Sequence, residues 1–311
     1  MTTTRAPRAR VRPADRVFAG STRAAGILIL VALAAVAIFL LAESIPALTA
    51  DPSTLKGSPS SFWAYVGPLV FGTIWAAALA LVIAFPISMG IALFISHYAP
   101  RRLAQGLGYV IDLLAAVPSV VYGLWGIKVL APFMVPGYTW LVNNLGWFPL
   151  FTPPVSGTGK TILTVAIVLA VMIIPIITSI SREIFLQAPL LHQEAALALG
   201  ATRWEMIKMA VLPFGRSGII SASMLGLGRA LGETLVVAMV LSPAVLVSFI
   251  LTGSQNPLTI AGNIALNFPE ASGIGVNALV ATGLVLFVIT FAINFIARFV
   301  VNRRKDFSGA N

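Results

Sequence analysis

In the stretch GLGRALGETLVV, residues 226 to 237, Arg229 and Glu233 stand four residues apart inside a run of apolar and small residues from Ile219 to Leu241. Read as one helix, the two charges share a face, with about 6 Å of rise between them. An arginine at mid-membrane costs about 2.5–3.5 kcal/mol on the insertion scale, and an acid is also heavily penalised. A mutual salt bridge would explain how both survive there. It would not explain why they are present, because a buried pair often adds no stability over an apolar one. The chemistry of the arginine points to an anion, since a permanently charged planar fork of donors fits an oxyanion. Glu233 is then expected to hold the guanidinium and to weaken its grip, because passage demands binding weak enough to release. Gly226, Gly228 and Gly232 thin the helix, and Gly228 to Gly232 forms a G-x-x-x-G step suited to close helix contact. Ser221, Ser223 and Thr234 add hydroxyls. Ser119, beside Pro118 in VPSVVYGLWG (117 to 126), is expected to line the same pathway with Thr234, because a proline frees a backbone carbonyl.

Positioning such a pair requires a membrane scaffold. The chain has 311 residues, 58% hydrophobic and 10% charged, whereas a soluble domain carries about 25% charged residues. A helical crossing needs about 20 apolar residues, and six segments qualify, at 24–45, 70–96, 108–132, 161–181, 218–242 and 276–300. The first is free of charge over 19 residues, Ala24 to Ala42, and no small-x-small cleavage site follows it. That is longer than the apolar core of a signal peptide, so a retained crossing is expected. The second is ambiguous by length, as a single helix kinked at Pro86 or a tight hairpin. The positive-inside rule decides: six crossings with both ends in the cytoplasm put sixteen of the 20 Lys and Arg residues on that side. Residues 1–23 and 301–311 then read as cytoplasmic tails, the first basic and without apolar periodicity, around a permease core at 70–300. The net charge of +10 is mostly topology, so no nucleic-acid partner is expected. With no cysteine and only His97 and His192, neither a metal site nor another cofactor is expected. The outside connections carry Trp140, Trp147 and Glu270, and the aromatics there fit the water–lipid interface.

Between the fourth and fifth crossings lies QAPLLHQEAALALGATRWEMIKMAVLPFGRSG, too long for a simple turn. Pro189 suits the start of a helix, Glu194 to Ala198 favour its continuation, and Gly200 suits a left-handed stop. A second short helix, 202 to 211, is expected to end before Pro213. Glu194-Ala195-Ala196, then three residues and Gly200, then Leu212-Pro213, resemble the EAA loop of ABC importer permeases, at 189–213 here. Ala210 stands where that family usually has isoleucine, a departure that touches packing rather than the docking end. The resemblance implies the type I ABC importer permease fold, all-α with six transmembrane helices. It also implies that Glu194, Ala195, Ala196 and Gly200 couple the chain to an ATP-binding subunit. No complete phosphate loop occurs in the chain; GTGKT at 157 to 161 lacks the first glycine. ATP hydrolysis is therefore expected on a separate subunit.

Arg-x-Leu-Gly-Glu in the crossing after that loop resembles the oxyanion branch of these permeases. GLGRALGET, VPSVVYGLWG and EAALALGATRWEMIKMAVLP resemble the PstC family of phosphate permease subunits, a likeness running from about Phe71 to the end. Sulfate and molybdate permeases typically carry an aromatic where Thr234 stands, and they remain the alternative. That resemblance implies a heterodimer with a PstA-like permease, two PstB-like ATPases and an external PstS-like phosphate-binding protein, in a bacterial cytoplasmic membrane. An ATP-independent channel would leave the docking loop without a purpose. An intramembrane enzyme lacks a Ser–His pair, a metal set and cysteine. Asp112 and Lys128 read as snorkelling charges or pathway contacts; PstC-like chains more often have an apolar residue at the latter site.

Overall fold

The computed structural model describes residues 13–51 and 59–302. Arg5 to Arg12, Lys56 and Arg303 to Lys305 lie outside them, and so do most of the tails expected at 1–23 and 301–311. Six helical segments are long and apolar enough to cross a membrane: Val17–Thr49, Phe62–Tyr98, Ser119–Leu145, Ile162–Leu186, Arg203–Leu231 and Ile274–Phe299. Successive crossings gather Arg23, Arg101, Arg102, Arg182, Arg203, Lys208, Arg216 and Arg298 at one end of the bundle, the basic end. The chain is thus a multi-pass membrane protein.

Helix α1 spans Pro13–Thr49, starting eleven residues before the hydropathy boundary at 24. Proline costs nothing in a first turn and Asp15 there complements the helix dipole, so the turn forms before the apolar run begins. Helix α2, Phe62–Leu93, is unbroken despite Pro68 and Pro86 and runs on through a π turn, Phe94–Tyr98. It packs on α6, Ile162–Leu186, the most buried of the six crossings. Ala76, Ala77, Ala80 and Ala84 bring it close to Leu169, Ile173 and Ile177, as small residues do where lipid supplies no hydrophobic drive.

The third crossing differs from the expected 108–132. Arg101–Ala115 (α3) is a separate amphipathic helix that buries Gly108 and Ile111 and leaves Tyr109, Val110 and Leu113 exposed; Asp112 is exposed on it. Pro118 ends the continuity, because the residue before a proline is driven out of the helical region. The crossing resumes as α4, Ser119–Trp125, a π turn, Gly126–Leu130, and α5, Ala131–Leu145. Residues 133–145, expected in an outside loop, are therefore helical.

At the basic end, α7 spans Leu190–Ala198 and α8 spans Arg203–Met206. The expected stop before Pro213 is absent. A π turn, Ile207–Val211, leads into α9, Leu212–Leu231, with the proline in its first turn, where its missing N–H goes unneeded. Then come α10, Leu235–Val240, α11, Ile260–Asn267, and α12, Ile274–Asn302. The connection from α10 to α11 is held by the buried side chain of Asn256. Its Oδ1 accepts from the Ile162 N–H at 2.8 Å, and its Nδ2 donates to the carbonyls of Lys160 at 3.1 Å and Ser242 at 3.3 Å. A two-residue parallel pairing, Pro243–Ala244 with Asn256–Pro257, completes it. Glu43 of α1 accepts from Asn277 Nδ2 of α12 at 2.9 Å.

The glycines of α9 do different work from that expected. A methyl on Gly226 would lie 2.8 Å from Ile177 Cγ1, so this glycine sets the α6–α9 approach, whereas one on Gly228 would meet nothing within 4 Å. Among the described residues of this chain, the G-x-x-x-G step makes no packing seam. Overpacking costs about 1–3 kcal/mol, so Gly226→Val should lower the thermal unfolding midpoint of the purified protein. Gly228→Ala should leave it unchanged or raise it, since alanine favours a helix by up to ~1 kcal/mol over glycine.

Candidate functional site

Arg229 and Glu233 do not share one helix. Helix α9 ends at Leu231, Gly232 caps it, and α10 begins at Leu235. The Gly232 N–H reaches back to the Gly228 carbonyl at 3.3 Å and the Glu233 N–H to that of Ala230 at 3.4 Å, a tightened last turn. Glycine at the cap and a threonine, poor in helix interiors, account for the break. The expected face-sharing pair is thereby separated, and no ion pair joins the two side chains among the described residues.

Each charge is instead placed at a helix end. Arg229 sits in the last turn of α9, where the dipole favours a cation. Glu233, 8% exposed, accepts the Val236 N–H on Oε1 at 3.2 Å and so caps the first turn of α10, where an anion is favoured. Thr234 Oγ1 donates to the Gly232 carbonyl at 3.2 Å. The guanidinium of Arg229 is left without the carboxylate, and its buried Nε has no hydrogen-bond partner.

A second break faces this one. Tyr122 of α4 donates its hydroxyl to the Leu114 carbonyl at 2.8 Å, tying α4 back to the end of α3 across Pro118. Helix α4 then packs on α10 through two glycines. A methyl on Gly123 would lie 3.0 Å from Met239 Sδ, and one on Gly126 would lie 3.0 Å from Val240 and 2.9 Å from Val168. The crossings that carry Ser119 and Arg229 therefore each adjoin a break, at Pro118 and at Gly232.

Arg229 opens onto a groove of about 780 Å³ between α6, α9 and α12, walled by Ile176, Ser221, Gly228, Asn294 and Arg298 among others. No carboxylate lines it. Open space at Gly228 keeps the wall low beside the guanidinium. Of the residues expected to act with Arg229, Glu233, Thr234 and Ser119 do not line this groove; Ser119 is half-buried at the start of α4. Lys128 is exposed on the π turn after α4 and stands outside it. Ser221 and Ser223 donate to the carbonyls of Ser217 and Ile219 at 2.9 Å, so they first satisfy their own helix. Arg298 and Asn294 went unread as site residues, since one Arg among several at a helix end reads as topology. The available signal was their four-residue spacing, which puts an amide and a cation on one face of an apolar helix.

The loop at the basic end has a definite shape. Gly200 has φ +86°; its N–H bonds the Leu197 carbonyl at 3.0 Å and the Ala201 N–H bonds that of Ala196 at 3.2 Å, the two bonds of a Schellman stop. Thr202 and Glu205 form a capping box that opens α8. Ala196 packs against the small cluster of Phe185, Met206 and Ile207. Glu194 and Ala195 are exposed, together with Leu190, Leu191 and Leu199, so α7 stands off the bundle with an apolar surface uncovered.

Comparison with known proteins accords with this architecture. The family described as the binding-protein-dependent transport system inner membrane component matches residues 84–306. The phosphate transport system permease protein PstC 2 of Mycobacterium tuberculosis is 45% identical over 311 residues, covering 95% of each chain. The phosphate transport system permease protein PstC of Mesorhizobium japonicum is 41% identical, over 95% of this chain and 92% of that one. Among solved structures, a bacterial ABC transporter involved in the import of the acidic polysaccharide alginate superimposes with a TM-score of 0.58 at 16% identity, over 93% of this chain and 99% of that chain. At that identity the likeness bears on the fold alone.

The separation of Arg229 from Glu233 has a measurable consequence. In a double-mutant cycle on unfolding stability with Arg229→Ala and Glu233→Ala, the two effects should add within about 0.5 kcal/mol. Glu233→Ala alone should cost about 0.5–2 kcal/mol, as loss of a helix cap does. A strong coupling energy would instead mean that the two charges hold each other.

Proposed function

The chain belongs to the family of binding-protein-dependent transport system inner membrane components, and on that footing we propose that it lines the pathway of an ATP-driven importer of inorganic phosphate. As a permease of an ABC transporter it is not itself an enzyme: ATP hydrolysis sits on a separate subunit of the complex. The observation that carries the substrate-contact reading is the Arg229 guanidinium, unpaired and facing a groove without a carboxylate. A half-buried arginine with no counterion carries a cost, and an arriving oxyanion offsets it through two parallel charge-assisted bonds. Because Glu233 is engaged at α10, release depends on the reversal of a bundle rearrangement rather than on competition from that carboxylate. The identity to PstC relatives over nearly the whole chain supports phosphate as the anion.

In this reading both chain ends lie in the cytoplasm, which puts the basic end on that side as the positive-inside rule requires. The protruding α7 presents Glu194, Ala195 and Ala196, with its uncovered leucines, to a PstB-like ATPase dimer. The Gly200 stop fixes its angle to α8 and hence to α9. Closure of the ATPases moves α9 with Arg229, and the α4–α10 contact carries the shift to the third crossing, with Ser119 and Thr234 beside the path. A PstA-like permease supplies the other half of the pathway, and an external PstS-like protein delivers phosphate.

The test is ATP-driven uptake of labelled phosphate by vesicles holding the complete complex, with sulfate and molybdate as competitors. The wild type should take up phosphate against an excess of either competitor. Arg229→Ala should reduce uptake to background while the ATPase still turns over. Preferential uptake of sulfate or molybdate would overturn the substrate. Undiminished phosphate uptake by Arg229→Ala would overturn the site.

A further inference from the structure

The groove beside Arg229 holds a second guanidinium that topology alone does not account for. Arg298 of α12 lines it with Asn294 and Ala297; Asn294 lies four and three residues before them, spacings that place side chains side by side on a helix. Arg303, Arg304 and Lys305 follow closely in the sequence, so the orientation of α12 does not require Arg298. A charge serving only to snorkel would extend toward the interface along lipid; this one stands on the wall of the groove that Arg229 also lines.

The depth of the two arginines differs. On α9 the groove runs from Ile220 and Ser221 to Arg229, and eight residues of helix rise about 12 Å. Consecutive crossings run in opposite directions, so the end of α12, with Arg298 four residues before Asn302, lies beside the beginning of α9. Arg298 is therefore nearer the basic end and Arg229 nearer the middle of the bundle. Asn294, one turn from Arg298, adds an amide donor to the wall. With no carboxylate among the lining residues, two like charges line one space, an arrangement that an anion entering it would favour.

We infer that Arg298 is a second oxyanion-binding residue of this transporter, receiving the anion from Arg229 on its way to the basic end. The inference rests on the reading of Arg229 as a substrate contact. Two sites of moderate strength in series let an ion leave the first without a deep well at either. Arg298 then governs release: its loss lowers the turnover of transport more than the external concentration at half-saturation, which the delivering protein sets. The same guanidinium chemistry would also suit the phosphate of a lipid headgroup, and the lipid composition of the vesicles separates the two sources.

The experiment uses the assembled complex in vesicles of neutral phosphatidylcholine, with and without anionic phosphatidylglycerol, and follows ATP-driven uptake of labelled inorganic phosphate. Arg298→Ala, Arg298→Gln, Arg298→Lys and Arg229→Ala are compared, each checked for co-purification with the other subunits. The expected result is a fall in maximal uptake of about tenfold for Arg298→Ala and Arg298→Gln, the effect of one lost charge-assisted contact. Arg298→Lys should recover part of it, ATP hydrolysis should persist, and the pattern should be the same in both lipid mixtures. Wild-type uptake by Arg298→Ala with none by Arg229→Ala would overturn the inference and leave the Arg229 reading standing. Wild-type uptake by both would overturn both. A defect present in only one lipid mixture would assign Arg298 to a headgroup, and a failure of all three Arg298 variants to co-purify would assign it to a subunit interface; either overturns the inference.

Discussion

A cation inside a bundle needs a counterpart, and the break at Gly232 decides what that counterpart is. On a continuous helix Arg229 would meet Glu233 one turn away, and the two would neutralise each other. The break hands each charge to a different helix end: the arginine to the last turn of α9, the glutamate to the first N–H groups of α10. Such end effects contribute typically 0.3–1 kcal/mol, up to ~2 in partly buried geometry. That is enough to reduce the cost of each charge and too little to replace an ion pair for a guanidinium. What remains is a half-buried guanidinium whose Nε has no hydrogen-bond partner among the described residues.

The rest of the fold keeps that break in place. Gly226 seats α9 against Ile177 of α6, and Gly123 and Gly126 let α4 lie against α10. Helix α10 is six residues long, too short to persist alone, so this packing and the Glu233 cap together hold it. Asn256 ties the following connection to the start of α6. At the other end, the Schellman stop at Gly200 and the capping box at Thr202 make a stiff corner between α7 and α8.

Much of this was legible in the sequence, and the places where it was not share a cause. Six crossings followed from apolar length and the distribution of Arg and Lys, because both are sums over many residues. Gly200 was readable as a left-handed stop, since the conformation requires glycine. Hydropathy could not see the breaks at Pro118 and Gly232, because both halves of each segment are equally apolar. It placed the third crossing at 108–132 and merged α3 with α4, although Val117 before Pro118 carried the signal. It also gave Arg229 and Glu233 a common face, when the cap at Gly232 and Thr234 argued for an end. Pro213 misled in the opposite direction, because a π turn before it supplies a fresh first turn. Arg298 was hidden by its company: its four-residue spacing from Asn294 was the one signal available, and the groove that both line is visible only in three dimensions.

The chain contains no cysteine, so a single thiol can report directly on the space in front of Arg229. Gly228→Cys places it there, at a position where added atoms meet nothing within 4 Å. The decisive measurement is its labelling rate in the assembled complex by an anionic and a cationic methanethiosulfonate of similar size, with and without phosphate. Faster reaction with the anionic reagent is expected, an advantage that Arg229→Ala abolishes, with slowing by phosphate. Equal rates for the two reagents, unaffected by Arg229→Ala or by phosphate, would show that no anion-attracting space lies beside the guanidinium and would contradict the account.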